Sequence, residues 1–194
     1  IGSTETIEQK SVDRKKNYKN ILNLEDLIGF VESLEQGKWL SVDLETTSVN
    51  PMAAEIVGFS FSTKKDTGFY VPILFKDKKE NLFGNNDLEE VIRILKPYLE
   101  DENIPKTGQN IKYDAKVLSR YGIEVTTFDD TMLLSYAMHG GLHNHGMDAL
   151  SERYLDHSPI SIKTLIGSGK SAITFDKVKI AVSYTHLRAH ETSS

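Results

Sequence analysis

Apolar and polar residues follow one another along the chain at two spacings, one typical of helices and one typical of strands. Apolar positions three and four residues apart predict amphipathic helices, as in the segment that follows Asn23. Short runs in which apolar residues alternate with small or polar ones predict strands, as between Ile56 and Phe61. The predicted helices are 23–34, 88–99, 110–121 and 129–138, and the predicted strands are 38–45, 56–61, 69–74, 106–109 and 123–128.

The order of these elements predicts the fold class. Three consecutive strands are followed by alternating helices and strands, which is typical of an α/β domain with a mixed sheet flanked by helices. Residues 1–18 are rich in Ser, Thr, Glu and Lys without an apolar period, and we expect a linker or an extended lead-in there. At 194 residues the chain is long enough for one hydrophobic core, which predicts one domain.

Composition argues against several classes of protein. The apolar runs, about five or six residues at most, are far shorter than the roughly 18 that a membrane-spanning helix needs, so we expect no membrane partner. A formal net charge of −5 argues against a general duplex-coating protein, but it is compatible with a cleft for a strand end. The chain has no cysteine, which excludes disulfides and fits a cytoplasmic location.

Two carboxylates separated by one residue end the strand that begins near Lys38. Asp43 and Glu45 are expected to project from the same face of this strand, because successive side chains point to opposite faces. Two like charges this close are tolerated when water or a cation lies between them. The pair therefore predicts a site for a divalent metal ion. A solvent-exposed strand end is the alternative interpretation.

A third carboxylate lies on the apolar stripe of a predicted helix. Asp114 follows Ile111 by three residues and precedes Leu118 by four, so it shares their face. A buried carboxylate is costly unless it is paired or bound to a cation, and the cation predicted between Asp43 and Glu45 would satisfy it. Alternatively, Asp114 only complements the positive end of its helix.

Four sequence blocks, taken together, carry a resemblance to a known family. They are Asp43-x-Glu45-Thr46, Gly108 to Asp114, Phe128 to Leu133, and Met147 to Leu155. In this order and spacing, between about Tyr18 and Ile180, they resemble the proofreading 3′-5′ exonuclease domain of bacterial DNA polymerase I. The Asp-x-Glu pair alone is a weak signal, whereas the four blocks together are specific.

The resemblance implies a ribonuclease-H-like fold and two-metal hydrolysis that releases nucleoside monophosphates from a 3′ end. By match, Asp43 would contact both ions, either Mg²⁺ or Mn²⁺. Glu45 would bind one ion near the terminal 3′ hydroxyl, and Asp114 would hold the second ion, through water. Carboxylate oxygens are the ligands that such ions prefer.

The resemblance also implies how a single-stranded 3′ end of DNA would bind. Three matched positions would contact the terminal nucleotides: Gln109, Asn110 and Tyr113. Two matched apolar positions would wedge or stack against unpaired bases: Val49 and Ile162. The parent protein would carry a polymerase domain in the same chain, after residue 180.

The third sequence block of the family is missing here. In the family, a Tyr three or four residues before an Asp supplies a group that orients the attacking water and a further metal ligand. After Ile180 the chain instead continues into 181–194, which resembles a translated sequencing adapter, and we hypothesise that this tail is not native. A genuine terminal helix is the alternative. With the domain limited to 19–180, we expect weak metal binding and little turnover from this chain.

Two other functions stay open. An exoribonuclease of the ribonuclease D type shares the first two blocks, although the residues from Gly108 to Asp114 and from Met147 to Arg153 are closer to the polymerase pattern. The non-enzyme alternative is an inactive domain that binds nucleic acid or supports a polymerase. Retention of Asp43, Glu45 and Asp114 argues against it.

Overall fold

Eleven regular elements make up the part of the chain that the structure describes. The computed structural model describes residues 17–73, 87–156 and 167. In these ranges no helix has the length and apolar character needed to cross a membrane. The strands are β1 (Asn17–Asn20), β2 (Leu40–Thr46), β3 (Ile56–Ser62), β4 (Thr67–Pro72), β5 (Lys106–Gly108) and β6 (Phe128–Asp130). The helices are α1 (Leu24–Glu32), α2 (Asp87–Leu99), α3 (Ile111–Ser119), α4 (Thr131–His139) and α5 (Met147–Leu155).

The strands form one mixed sheet in the order β1-β4-β3-β2-β5-β6. β2, β3 and β4 are antiparallel neighbours, whereas β1 pairs in parallel with β4, β5 with β2, and β6 with β5. Each of the parallel strands β5 and β6 is reached through a helix, as parallel connections require. The prediction of an α/β fold with a mixed sheet flanked by helices is confirmed, and β2 lies inside the sheet between β3 and β5.

Helix α1 shows why the predicted elements form where they do. The Asn23 side chain accepts a hydrogen bond from the backbone N–H of Asp26 at 2.8 Å and thereby caps the first turn. The helix then buries the apolar stripe expected from the spacing, with Leu27, Phe30 and Val31 inside. The ring of Phe30 packs against Phe61 of β3 with 5.3 Å between centroids. This contact fixes α1 against one face of the sheet.

The two faces of β2 carry opposite kinds of residue. Val42 and Leu44 are buried in the hydrophobic core, where they pair with Phe61 and Phe59 of β3. The intervening residues Asp43 and Glu45 pair with Ser60 and Gly58, so they lie on the other face. One face of the sheet therefore holds the core, and the opposite face carries carboxylate and hydroxyl groups.

The first strand was not predicted. Asn17 and Tyr18 belong to β1, so the strand extends two residues into the segment expected to be a lead-in. The Asn17 N–H donates to the Asp66 carbonyl at 2.9 Å, and β1 pairs along its length with β4. β1 is an edge strand with polar residues on both faces, so its sequence lacks the apolar alternation by which strands are recognised.

The strand predicted at 123–128 is wrong, because β6 begins only at Phe128. Ile123 is fully buried, but its N–H donates to the Leu118 carbonyl in the turn after α3. The N–H of Thr126 donates to the Leu99 carbonyl at the end of α2. Apolar residues in this segment fill the core, while the N–H groups of Ile123 and Thr126 bond to helix ends. Pairing with β5 starts at the Thr127 carbonyl, which accepts from the Lys106 N–H at 2.8 Å.

The fully buried Lys106 side chain forms a hydrogen bond between β5 and the loop that precedes it. Lys106 Nζ donates to the Asp101 carbonyl at 2.8 Å, and burial lowers the pKa of its ammonium. Lys106→Met is expected to lower the free energy of unfolding by about 1–2 kcal/mol, because a charge-assisted hydrogen bond is lost. Urea denaturation at pH 7 measures the change. The exposed Lys38, changed to Met, is the matched control, and equal effects of the two substitutions would contradict the assigned role.

Candidate active site

Strand β2 brings two of the predicted carboxylates to the same face of the sheet. Asp43 is half-buried, whereas Glu45 is buried with 7% of its surface exposed. The Glu45 Oε1 atom is shielded from solvent and accepts no hydrogen bond from the described residues. A shielded carboxylate oxygen without a donor is unusual in a folded protein and indicates a place for a cation or a polar ligand.

Helix α3 brings the third carboxylate to the same strand. Asp114 is 3% exposed, and its Oδ1 accepts a hydrogen bond from the backbone N–H of Leu44 at 3.2 Å. Leu44 lies between Asp43 and Glu45, so the contact ties Asp114 to the pair across 70 residues of sequence. The prediction that Asp114 faces inward is thereby confirmed.

The turn into α3 depends on two tight backbone positions. Gly108 passes so close to β2 that a Cβ on it would lie 2.7 Å from the Val42 carbonyl oxygen. Asn110 then adopts a left-handed conformation with φ of 57°. Its N–H donates to Asp130 Oδ1 at 3.0 Å, and the same oxygen accepts from the Met132 N–H at 3.0 Å as the cap of α4. Asp130 therefore holds the starts of both helices, as expected for a capping residue.

The three carboxylates affect one another electrostatically. Burial, and then the charge of Asp43, raise the pKa of Glu45 well above its ordinary value. Burial and Asp43 also raise the pKa of Asp114, to which Glu45 adds a smaller effect, while the hydrogen bond from Leu44 acts in the opposite direction. The folded chain thus holds a cluster of like charges that is costly when fully ionised.

The cluster has the donors that a hard divalent cation needs. Within the described ranges, no three His, Asp or Glu side chains already have the arrangement of a metal-binding site. The chemistry nevertheless fits, because three carboxylates share one site, their charges repel one another, and Glu45 Oε1 has no hydrogen-bond partner among the described residues. Cation binding then requires adjustment of these side chains.

A cleft leads to this cluster from the surface. Its volume is about 430 Å³, including space open to solvent. Of the three carboxylates Asp43 alone lines it, while Glu45 and Asp114 are buried and do not line it. The other lining residues include Ser41, Ser60, Thr107, Gln109 and Met147. Asp43 is therefore the carboxylate that a ligand in the cleft can contact.

Gln109 stands at the cleft with both ends of its amide occupied. Its Nε2 donates to the His145 carbonyl at 2.8 Å, and its Oε1 accepts from the Thr131 hydroxyl at 2.5 Å. Asn110 lies beside it, and its shielded Oδ1 has no partner within the described residues. The structure thus brings both predicted residues to the cleft region. It fixes the Gln109 amide by hydrogen bonds, whereas the side-chain oxygen of Asn110 accepts no hydrogen bond from the described residues.

Tyr113 contacts the loop after β2, and Val49 belongs to this loop. The Tyr113 hydroxyl lies 2.7 Å from Thr46 Oγ1 and also donates to the Ser48 carbonyl. Val49 follows directly and has 96% of its surface exposed. The structure therefore places Val49 in a loop that α3 holds at two points. The Tyr113 phenol holds it beside Val49, and Arg120 at the end of the helix donates to the Pro51 and Ala54 carbonyls. Ile162, the remaining predicted contact, lies outside the described residues.

Comparison with known proteins bears directly on this site. The model of a family described as 3′-5′ exonuclease matches residues 18–190. The chain belongs to this 3′-5′ exonuclease family. The match contains the whole domain predicted at 19–180, extends to residue 190 within the predicted tail, and confirms the resemblance drawn from the four blocks. The carboxylate cluster is thus a site within a nuclease domain, although the match does not assign a role to any one residue.

Two relatives identify the kind of protein in which this exonuclease domain occurs. DNA polymerase I of Rhizobium leguminosarum is 39% identical in an alignment of 189 residues that covers 90% of this chain and 18% of the polymerase. DNA polymerase I of Pseudomonas aeruginosa is 35% identical in an alignment of 184 residues that covers 92% of this chain and 19% of the polymerase. The exonuclease chain therefore spans about a fifth of the length of these relatives.

Solved structures show the same fold at low sequence identity. NrnC of Brucella melitensis with bound Mg²⁺ is 19% identical, with a TM-score of 0.59, over 91% of this chain and 73% of that one. RNase D of Escherichia coli is 13% identical, with a TM-score of 0.65, over 91% of this chain and 42% of that one. These likenesses confirm the ribonuclease-H-like exonuclease fold.

Several residues that shape the exonuclease site were not found from the sequence. Thr131 and His145 fix the Gln109 amide, and the His145 contact uses a backbone carbonyl, which no side-chain pattern reports. Ser60 lies opposite Asp43 with a shielded hydroxyl that has no partner in the described ranges. The small residue Ser60 in β3 was the available signal, because a small residue opposite a carboxylate leaves room for a ligand.

Removal of one hydroxyl tests the loop that carries Val49. Tyr113→Phe is expected to lower kcat/KM for single-stranded DNA about tenfold, because loss of two hydrogen bonds loosens the loop and misplaces Val49. Timed digestion of an end-labelled oligonucleotide measures the change. Tyr98→Phe, on α2, is the matched control. An unchanged kcat/KM in Tyr113→Phe would contradict the role of this hydroxyl.

Proposed function

We propose that this exonuclease domain removes nucleotides from the 3′ end of DNA and that a pair of divalent cations, Mg²⁺ or Mn²⁺, supports the hydrolysis. One observation carries the proposal: Asp43, Glu45 and Asp114 converge on one site, and a buried oxygen of Glu45 has no hydrogen-bond donor among the described residues. A cluster that is costly when ionised gains most from bound cations. The products would be nucleoside monophosphates.

The three carboxylates are the residues that would hold the cations. When bound, such ions supply positive charge that activates water and stabilises the leaving oxygen of a phosphodiester. Asp43 faces the cleft, so its carboxylate is the one that an incoming phosphate approaches. Glu45 and Asp114 are buried, and burial keeps competing water away from their oxygens.

The residues around the cleft supply the contacts for a strand end. Val49 is exposed in the loop after β2 and suits stacking against an unpaired base. Gln109 and Asn110 lie near the start of α3. The Gln109 amide uses one N–H on His145 and one lone pair on Thr131, so its second N–H and second lone pair suit the polar edges of the last nucleotide. Tyr113 fixes the Val49 loop relative to Asp114 of the same helix. Ile162 is proposed as a second apolar contact by sequence match alone.

DNA is the favoured substrate because the two relatives described above, at 39% and 35% identity, are DNA polymerases. DNA polymerase I of Rhizobium leguminosarum aligns over 90% of this chain, whereas the RNase D structure shares only 13% identity. In this proposal the domain proofreads for a polymerase domain of the same chain, in the cytoplasm. The net charge of −5 fits a cleft that captures strand ends better than a surface that coats duplex DNA.

A polarity assay tests the proposal. The full chain, in excess over the substrate, is incubated with Mn²⁺ and single-stranded DNA labelled at one end. Because the third sequence block is missing, we expect slow hydrolysis, in which a 5′-labelled strand shortens stepwise by one nucleotide and a 3′ label is released as a mononucleotide in the first cleavage. An RNA strand of the same sequence is expected to react more slowly.

Two controls make the polarity assay decisive. Asp114→Asn, purified in the same way, must lose the activity, which excludes a contaminating nuclease. Chelation of Mn²⁺ must stop the reaction. Preference for RNA would favour the ribonuclease D alternative, and internal cleavage or release from the 5′ end would refute the proposal.

A further inference from the structure

Tyr70 is a buried aromatic residue on the carboxylate face of the sheet. Only 1% of its surface is exposed, and it has the largest side chain among the fully buried residues of the described ranges. In the strand register it pairs with Ser60, which in turn pairs with Asp43. The core aromatics Phe59 and Phe61 lie on the opposite face. Tyr70 therefore fills space beside the carboxylates and not in the main core.

The Tyr70 ring crosses β3 at Gly58. A Cβ built on Gly58 would lie 2.4 Å from the Tyr70 Oη and 2.6 Å from its Cε2 and Cζ atoms. The ring thus occupies the space that any other side chain would need. Gly58 pairs directly with Glu45 in β2. Gly58 is the diagonal neighbour of Tyr70 across β3 and β4, within reach of an aromatic side chain. The hydroxyl end of the ring therefore lies over the residue that pairs with Glu45.

We propose that Tyr70 is a positioning residue for Glu45, whose carboxylate is confined on one side by the ring that passes over Gly58. The inference rests on the proposed function, because it concerns Glu45 as a cation ligand. Confinement limits the conformations of the Glu45 side chain before a cation binds, so less conformational entropy is lost on binding. It also excludes water from one side of the carboxylate.

The electrostatics of the pair support their proximity. Burial raises the pKa of Tyr70 far above its ordinary value, and the charge of Glu45 raises it further. The phenol is therefore neutral at physiological pH, and it adds no negative charge to the cluster. A neutral wall suits this place, because a further anion would repel both Asp43 and Glu45.

Direct measurement of Mn²⁺ binding tests the inference without relying on turnover. The full chain is titrated with Mn²⁺, and free Mn²⁺ is followed by electron paramagnetic resonance. Tyr70→Leu, which removes the wall, is expected to raise the Kd about tenfold. Tyr70→Phe keeps the ring and is expected to stay within about threefold of the parent. Circular dichroism at the titration temperature shows that each variant is folded.

Matched variants separate positioning from general loosening of the fold. Phe59→Leu removes an equally buried ring from the opposite face and is expected to leave the Kd within about twofold of the parent. Gly58→Ala displaces the ring and is expected to weaken binding as Tyr70→Leu does. A normal Kd in folded Tyr70→Leu, or an equal loss in Phe59→Leu, would overturn the inference.

Failure of the proposed function gives a different result. Glu45→Gln must weaken Mn²⁺ binding if Glu45 is a ligand at all. If the parent binds no Mn²⁺ through Glu45, the proposed function fails and the role of Tyr70 fails with it. If Glu45→Gln loses binding while folded Tyr70→Leu keeps it, the positioning role of Tyr70 alone is refuted.

Discussion

Replacement of Asp43 by Asn is expected to reduce exonuclease activity by at least about a hundredfold and, at the same time, to stabilise the metal-free fold. The loss follows because Asp43 is the carboxylate that faces the cleft. Loss of an outer partner of a metal site already costs about 10–100-fold, and loss of a direct ligand is expected to cost at least as much.

The gain in stability has an electrostatic origin. Asp43 raises the pKa of both Glu45 and Asp114, so the three charges repel one another in the folded chain. Removal of one charge is expected to raise the free energy of unfolding by about 1–3 kcal/mol at pH 8 without divalent ions. Activity and stability thus conflict at this position, as is common at sites built for function.

Two measurements on the same preparation check this pair of effects. Single-turnover digestion of an end-labelled strand gives the activity, and urea denaturation in a chelating buffer gives the stability. Asp129→Asn is the matched control, because Asp129 is an exposed carboxylate on β6 of the same sheet. If Asp43→Asn were both inactive and less stable than the parent, the repulsion among the three carboxylates would not be a significant cost.

The carboxylate site was predictable from local patterns, because each of its parts has a short sequence signal. The spacing of Asp43 and Glu45 follows from strand alternation, and the position of Asp114 follows from the helical stripe. The central strand β2 and helix α3 were predicted for the same reason. Their meeting at the Leu44 N–H spans 70 residues, and it was indicated by the cost of an unpaired buried Asp114 and by the family resemblance.

The parts that escaped prediction depend on backbone contacts between distant segments. β1 has polar residues on both faces, and its identity as a strand comes only from pairing with β4. The segment 123–127 has the apolar content of a strand, yet its N–H groups bond to the ends of α2 and α3. The ring of Tyr70 passes over Gly58, which pairs with Glu45. This arrangement depends on the register of the strands, which local sequence patterns do not report.

Divalent cations are expected to stabilise the chain more strongly as the pH rises. The folded chain raises the pKa of Glu45 and Asp114. Between the ordinary pKa and the raised one, the folded state keeps protons that the unfolded state has released. Stability of the metal-free chain therefore falls as the pH rises through this window, and the full penalty applies above the raised pKa.

A bound Mg²⁺ or Mn²⁺ ion would remove the repulsion among the ionised carboxylates. The ion competes with protons for the same carboxylate oxygens. At pH 8, a cation at about 100 times its Kd is expected to add about 2.7 kcal/mol to the free energy of unfolding. At pH 5, protonation of the cluster should reduce the gain markedly. Urea denaturation with and without Mg²⁺, at constant ionic strength and several pH values, measures this dependence.

The difference between the parent and Asp43→Asn isolates the cluster from other titrating groups such as the histidines. Burial is the larger cause of the raised pKa of Glu45 and Asp114 and stays in the variant, whereas the charge of Asp43 is removed. Substitution is therefore expected to reduce the fall in metal-free stability between pH 5 and 8, and to remove most of the gain from Mg²⁺ because one proposed ligand is lost. A gain from Mg²⁺ that is equal at pH 5 and pH 8, or equal in the parent and the variant, would mean that the cation binds elsewhere. The carboxylate cluster would then be a structural cost without the compensating ligand proposed for it.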